Sequence, residues 1–97
     1  MSLRFHRLVQ KDLQAVLQYY EDAGGPSLAD RFFSDLEALI FEIAGEPTKF
    51  HFTEHGLRRA NMARFPYHFL YRESPTGVRI LVLRHHKRHP TFGVHRK

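Results

Sequence analysis

Residues 83–90 read Leu-Arg-His-His-Lys-Arg-His-Pro. An apolar run from Val78 to Leu83 ends there in a crowd of basic and titratable side chains, closed by Pro90. Two kinds of chemistry fit these residue types. Metal-free RNA cleavage needs a base for the 2′-hydroxyl proton, an acid for the leaving 5′-oxygen, and cations for the charge developing on phosphorus. His85 or His86 could act as base or acid, because imidazole titrates near neutrality. Arg88, with Arg59 and Arg64, could hold the phosphate. The same residues would equally make a cationic docking surface with no catalytic step.

A second histidine-rich stretch, His51-Phe-Thr-Glu-His55, matches the H-x-x-E-H pattern of inverted zinc peptidases. That chemistry needs a helix, which sets both imidazoles on one metal. Here the stretch lies between Pro47 and Gly56 with no helical apolar stripe, and the expected helices contain no further histidine ligand. The match is assigned to chance. His85, His86 and His89 are likewise not expected to form a metal site, since neighbouring strand residues point to opposite faces. No metal and no cofactor is expected.

Charge is unevenly distributed. Residues 1–46 carry four Lys/Arg against eight Asp/Glu, a net of −4; residues 47–97 carry eleven against two, a net of +9, and seven of the eight histidines. Such polarity steers anionic partners to one side of a molecule. The basic set includes Arg58, Arg59, Arg64, Arg72, Arg79, Arg84, Lys87 and Arg88, which on neighbouring strands would form one patch. Phe65, Tyr67 and Tyr71 could interleave with it and stack on bases. One sheet face must also cover the helices, which assigns Phe69 and Tyr71 to the core.

These residues need a scaffold, and 97 residues allow one domain with a single core. There is no cysteine, so disulfides, thiolate metal sites and Cys nucleophiles are excluded together. No apolar segment approaches a membrane span and no signal-like start is visible, so a soluble cytoplasmic protein is expected. Leu3 to Val9 alternates as a strand. From about Lys11, the spacing of Leu13, Val16, Leu17 and Tyr20 predicts an amphipathic helix that stops at Ala23-Gly-Gly-Pro26. Ser27 is expected to cap a second helix, with Asp30 completing a weak capping box and Leu28, Phe32, Leu36, Leu39 and Ile43 on its apolar side. Gly45 and Pro47 end it, and so short a connection makes an antiparallel helical hairpin. After a loop over about 48–57, the period changes to two. Arg59 to Phe65 reads as a strand, Pro66 as a junction, Tyr67 to Arg72 as a second strand, and Glu73 to Gly77 as a hairpin loop. Val78 to Arg84 reads as a central strand covered on both faces. The expected class is α+β in the order β-α-α-β-β-β, an N-terminal strand and helical hairpin packed on a small, mainly antiparallel sheet.

With this order in place, Arg-Phe-Pro-Tyr-His-Phe-Leu-Tyr-Arg (64–72) followed by Val-Arg-Ile-Leu-Val-Leu-Arg-His-His-Lys-Arg-His-Pro (78–90) resembles the ParE branch of the RelE/ParE toxins. The resemblance rests on Phe65-Pro66-Tyr67 at a strand junction, Tyr71 closing that strand, and an apolar strand ending in His85-x-x-Arg88-x-Pro90. It implies the RelE-like fold and the toxin half of a type II toxin–antitoxin pair, neutralised by an antitoxin that lays an extended, helix-containing segment over it. ParE relatives are associated with inhibition of DNA gyrase; RelE relatives cut mRNA on the ribosome. RelE-type nucleases place basic residues where Arg59 and Asn61 fall, arginines where His68 and Arg88 fall, and a Tyr near Val94. This chain keeps the first and last cations and lacks the others. Neutral imidazole at His68 cannot replace a bidentate, permanently charged phosphate ligand. The reading is therefore a ParE-like inhibitor, with Arg59, Arg64, Tyr67, His85, Arg88, His95, Arg96 and Lys97 facing the target and the acidic hairpin plus the sheet edge receiving the antitoxin. The rival is a metal-independent, ribosome-dependent mRNA endonuclease using His85, His86 and Arg88. A third reading is an inactive relative that only binds its partner.

Overall fold

The computed structural model describes residues 2–97. Strand β1 (Ser2–Phe5) leads into helices α1 (Val9–Gly24) and α2 (Pro26–Gly45). Two single 3-10 turns (Pro47–Lys49 and Glu54–Gly56) precede β2 (Arg58–Asn61), β3 (Tyr67–Ser74) and β4 (Gly77–His85). The sheet order is β1-β4-β3-β2, with β1 parallel to β4 and the other pairs antiparallel. This is the expected α+β arrangement of two helices on a mainly antiparallel sheet.

Three boundaries differ from expectation, each for a local reason. The first strand ends at Phe5 rather than Val9, because His6 turns the chain: its Nδ1 accepts from Leu8 N–H and its carbonyl from Val9 N–H. Val9 is the first residue of the helical stripe that continues through Leu13 and Val16. Ser27 does not cap α2. Gly25, at φ +82°, makes the whole connection, and Pro26 takes the first helical position. Glycine tolerates that backbone angle, and proline has no N–H to leave unsatisfied there. Finally, β2 ends at Asn61, not Phe65. Met62 N–H bonds to the Tyr67 carbonyl, closing a tight excursion that drives Phe65 against Tyr20 and Phe32.

The helical hairpin covers one face of the sheet, here called the front. Phe32, Leu36, Leu39 and Ile43 from α2 meet Phe69, Tyr71, Ile80 and Leu83 from the strands. Phe69 and Tyr71 are core residues as expected, and Phe65 and Tyr67 join them.

The back face has its own smaller core of Leu57, Leu70, Leu81, Val82 and Val94. A bulge in β4 creates it: Leu70 pairs with Val82 but Tyr71 with Ile80, leaving Leu81 as the extra residue. Leu81 and Val82 consequently both lie in the back core, while Ile80 and Leu83 lie in the front one. The C-terminal residues 90–97 cover this back core. Gly93, at φ +78°, lies so close to Val82 that a Cβ there would fall 2.6 Å from it.

Candidate functional site

The end of β4 delivers alternate side chains to the two faces. Arg84 stands opposite His68 on the back, and His85 opposite Tyr67 on the front. Beyond the strand, His86 N–H bonds to the Pro66 carbonyl and Arg88 N–H to the His85 carbonyl, folding 85–88 into a turn. That turn brings His86 back over His68.

A directed hydrogen-bond chain results. Arg84 Nε donates to His68 Nε2 at 2.9 Å. Arginine has no acceptor, so His68 Nε2 must carry the lone pair and Nδ1 the proton. That proton points at His86 Nδ1, 2.9 Å away, which must therefore accept. Arg59 Nη2 reaches the same His86 nitrogen at 3.2 Å and can only donate. His86 is then neutral, with its proton on Nε2. The two imidazole planes lie within 19° of each other, with centroids 5.1 Å apart.

The electrostatics agree with the tautomers. His68 is fully buried, and burial, reinforced by Arg59 and Arg84, pushes its pKa down to about 3. Burial and Arg59 also lower the pKa of His86. At its other end, Arg84 Nη1 donates to the carbonyls of Pro90 (2.8 Å) and Phe92 (3.0 Å), so the chain of bonds runs from the strands into the C-terminal residues.

His85 is separate from this chain. Its Nδ1 accepts from Lys87 N–H at 3.0 Å, and its ring packs edge-on against Tyr67 at 5.0 Å. It borders an open groove of about 570 Å³ between α1 and the end of β4, together with Lys11, Tyr19, Tyr67, Arg88 and Phe92. Arg88 lies over the Phe92 ring at 4.0 Å.

Of the expected residues, Arg59 meets His86 on the back of the sheet, whereas His85 and Arg88 line the groove on the front. Other residues of the expected surface are engaged elsewhere. Arg64 makes a bidentate pair with Asp35 of α2 at 3.1 and 2.7 Å. Tyr67 is buried in the front core, and burial raises its pKa. Arg96 clamps Asp12 of α1 at 2.6 and 3.1 Å and also bonds the Leu81 carbonyl. Asp12 in turn accepts from Leu83 N–H. The Lys97 carbonyl accepts from Arg79 Nε, while His95 is exposed beside His55. The basic patch is accordingly smaller than composition suggests, because Arg58 pairs with Glu73 as well. Arg84 and His68 stand out as the residues whose role the sequence pattern concealed; their only signal was a polar side chain at each of two positions inside apolar strands. The His51–His55 stretch is an isolated bridge at Phe52 followed by a 3-10 turn, with His55 at φ 69°, so its imidazoles lack helical spacing.

Comparison with known proteins gives the family. Residues 3–90 match the family model described as ParE toxin of the type II toxin–antitoxin system, parDE. The chain belongs to the ParE toxin family. A solved chain titled as the chromosomal ParDE TA system from P. aeruginosa has the same fold, with a TM-score of 0.78. It is 23% identical, and the alignment covers 88% of this chain and 95% of that one. No curated protein matches. Phe92, Val94 and Arg96 of the C-terminal strap, residues 90–97, lie beyond the stretch that the ParE toxin model matches. No helix among the described residues is long and apolar enough to cross a membrane.

Proposed function

We propose that this ParE-family toxin inhibits growth by binding rather than by cutting RNA, with DNA gyrase as its target and a cognate antitoxin as its neutralising partner. The observation that carries this reading is that the Nδ1 lone pairs of both His85 and His86 are already engaged. A general base needs a free lone pair within reach of its proton. His86 Nδ1 already accepts from His68 and Arg59, and His85 Nδ1 from Lys87 N–H. Taking up a substrate proton at His86 would set His68 and Arg59 against a third donor. Arg59, Lys87 and Arg88, with His85 beside them in sequence, instead offer cationic groups around the end of β4 to a partner, with Arg64, Tyr67 and Arg96 left out because each is engaged within the fold.

The antitoxin is assigned to the helical hairpin and the β1 edge. Phe33, Phe41 and Phe5 are exposed there. A groove of about 450 Å³ lined by Phe5, Val9, Leu13, Ile40 and Phe69 would take apolar anchors from a helical segment.

Inducing the chain in cells, then assaying DNA supercoiling and mapping RNA ends, tests the reading. Altered supercoiling or double-strand breaks with intact mRNA are expected. Codon-positioned mRNA cuts would replace this reading with the RelE-type nuclease, and silence in both assays with the inactive relative.

A further inference from the structure

Arg84 is more than nine-tenths buried, yet it has no carboxylate partner among the described residues. A buried charge is normally paired, because desolvation is otherwise uncompensated. Its Nε and Nη1 are bonded to neutral acceptors, His68 and backbone carbonyls. Its Nη2 makes no bond within the protein. Among the described residues no side-chain polar atom is both buried and unpartnered, so that nitrogen reaches accessible space, and Arg84 borders both the groove beside α1 and a cavity on the back face.

Arg84 lines a cavity of about 220 Å³ on the back face, together with Arg59, Thr53, His55, Pro90 and Val94. Arg59 is also without an ion pair, and its Nη1 is free, since Nε serves Asn61 and Nη2 serves His86. Exposed Glu54 also lines the cavity but pairs with neither guanidinium. The hydrogen-bond chain offers no remedy, because the lone pairs it uses on His68 and His86 are already taken. Two guanidiniums with free N–H groups therefore share one small cavity with no counter-charge bonded to them.

We infer that this cavity is a binding site for a small free oxyanion of the phosphate class, held between Arg59 and Arg84. Guanidinium N–H groups match phosphate oxygens in geometry as well as charge. The size argues for the ion alone, since the cavity lies below the roughly 300 Å³ at which sites begin to hold drug-sized ligands. Bound there, the anion would supply the charge Arg84 lacks and tie β2, β4 and the C-terminal strap together. The site shares Arg59 with the proposed target surface, but phosphate binding is measured without any target.

Thermal unfolding of the full chain in sodium phosphate, against sodium chloride at matched ionic strength, is the test. Phosphate is expected to raise the midpoint with the logarithm of its concentration, by about 4 °C or more once it exceeds its dissociation constant tenfold. Isothermal calorimetry should find one site. Arg59→Gln is expected to weaken phosphate at least tenfold, whereas Arg72→Gln, an equal charge change at an exposed position off the cavity, leaves binding intact. Adenosine 5′-monophosphate should bind no tighter than inorganic phosphate. Equal shifts in phosphate and chloride, equal losses in both variants, or tighter binding of the nucleotide would each overturn the assignment.

Discussion

The two faces of the sheet are held by different physics. On the front, Phe32, Ile43, Phe69, Tyr71 and Ile80 bury apolar surface under a helical hairpin, and shape governs most of the contacts, with the Tyr71 hydroxyl also donating to the Pro47 carbonyl. On the back, five aliphatic residues make a core too small to fix a chain terminus alone. Directional bonds do the rest: Arg84 grips the Pro90 and Phe92 carbonyls, Arg96 clamps Asp12, and His68 joins Arg84 to His86. The front tolerates change in proportion to volume lost. The back depends on every donor meeting its acceptor, so its failures should be abrupt and sensitive to pH.

Removing the buried guanidinium sharpens this contrast most. Arg84→Met keeps the length of the side chain but strands His68 Nε2 and the strap carbonyls, and should cost about 3 kcal/mol in urea unfolding. Hydrogen exchange should show residues 90–97 opening while the hairpin amides stay protected. Uniform loss of protection on both faces would break the comparison.

Acid should do part of the same work. His68 has a folded pKa of about 3 against an ordinary 6.5, so between these values the unfolded chain binds the extra proton. Stability should therefore fall as pH drops through that window, with His86, also lowered, adding to the slope. Urea midpoints from pH 7 to pH 4 measure it, and His68→Asn should flatten the dependence.

Gly93→Ala should cost about 1–3 kcal/mol, combining a strained φ with crowding against Val82. The smallest effect belongs to Arg64→Gln. Its guanidinium is paired with Asp35 but lies in solvent, so the unfolding midpoint should not move measurably.

The front face was readable in the amino-acid sequence because its signal is periodic. Leu13, Val16, Leu17 and Tyr20 repeat as a helix does, and Phe69 and Tyr71 alternate as a strand does. The helix start at Val9 was obscured because the strand alternation runs smoothly into the helical stripe. The Gly25-Pro26 connection was misread because Ser27 supplies a capping residue that the geometry does not use. At the site, the placing of His85, His86 and Arg88 at the end of β4 followed from strand order. The pairing of Arg64 with Asp35 and of Arg96 with Asp12 did not, because ion pairs joining residues 29 and 84 positions apart leave no local pattern. The burial of Arg84 was hidden for a similar reason: an arginine ending an apolar strand looks like the first solvent-facing residue.

The tautomers of His68 and His86 test the central claim most directly. Long-range nitrogen–proton NMR correlations at neutral pH should show both rings neutral, with the proton on Nδ1 in His68 and on Nε2 in His86, and His68 should stay neutral to below pH 5. An imidazolium at either position near pH 7, or the proton of His68 on Nε2, would contradict the directed chain and free these histidines for proton transfer.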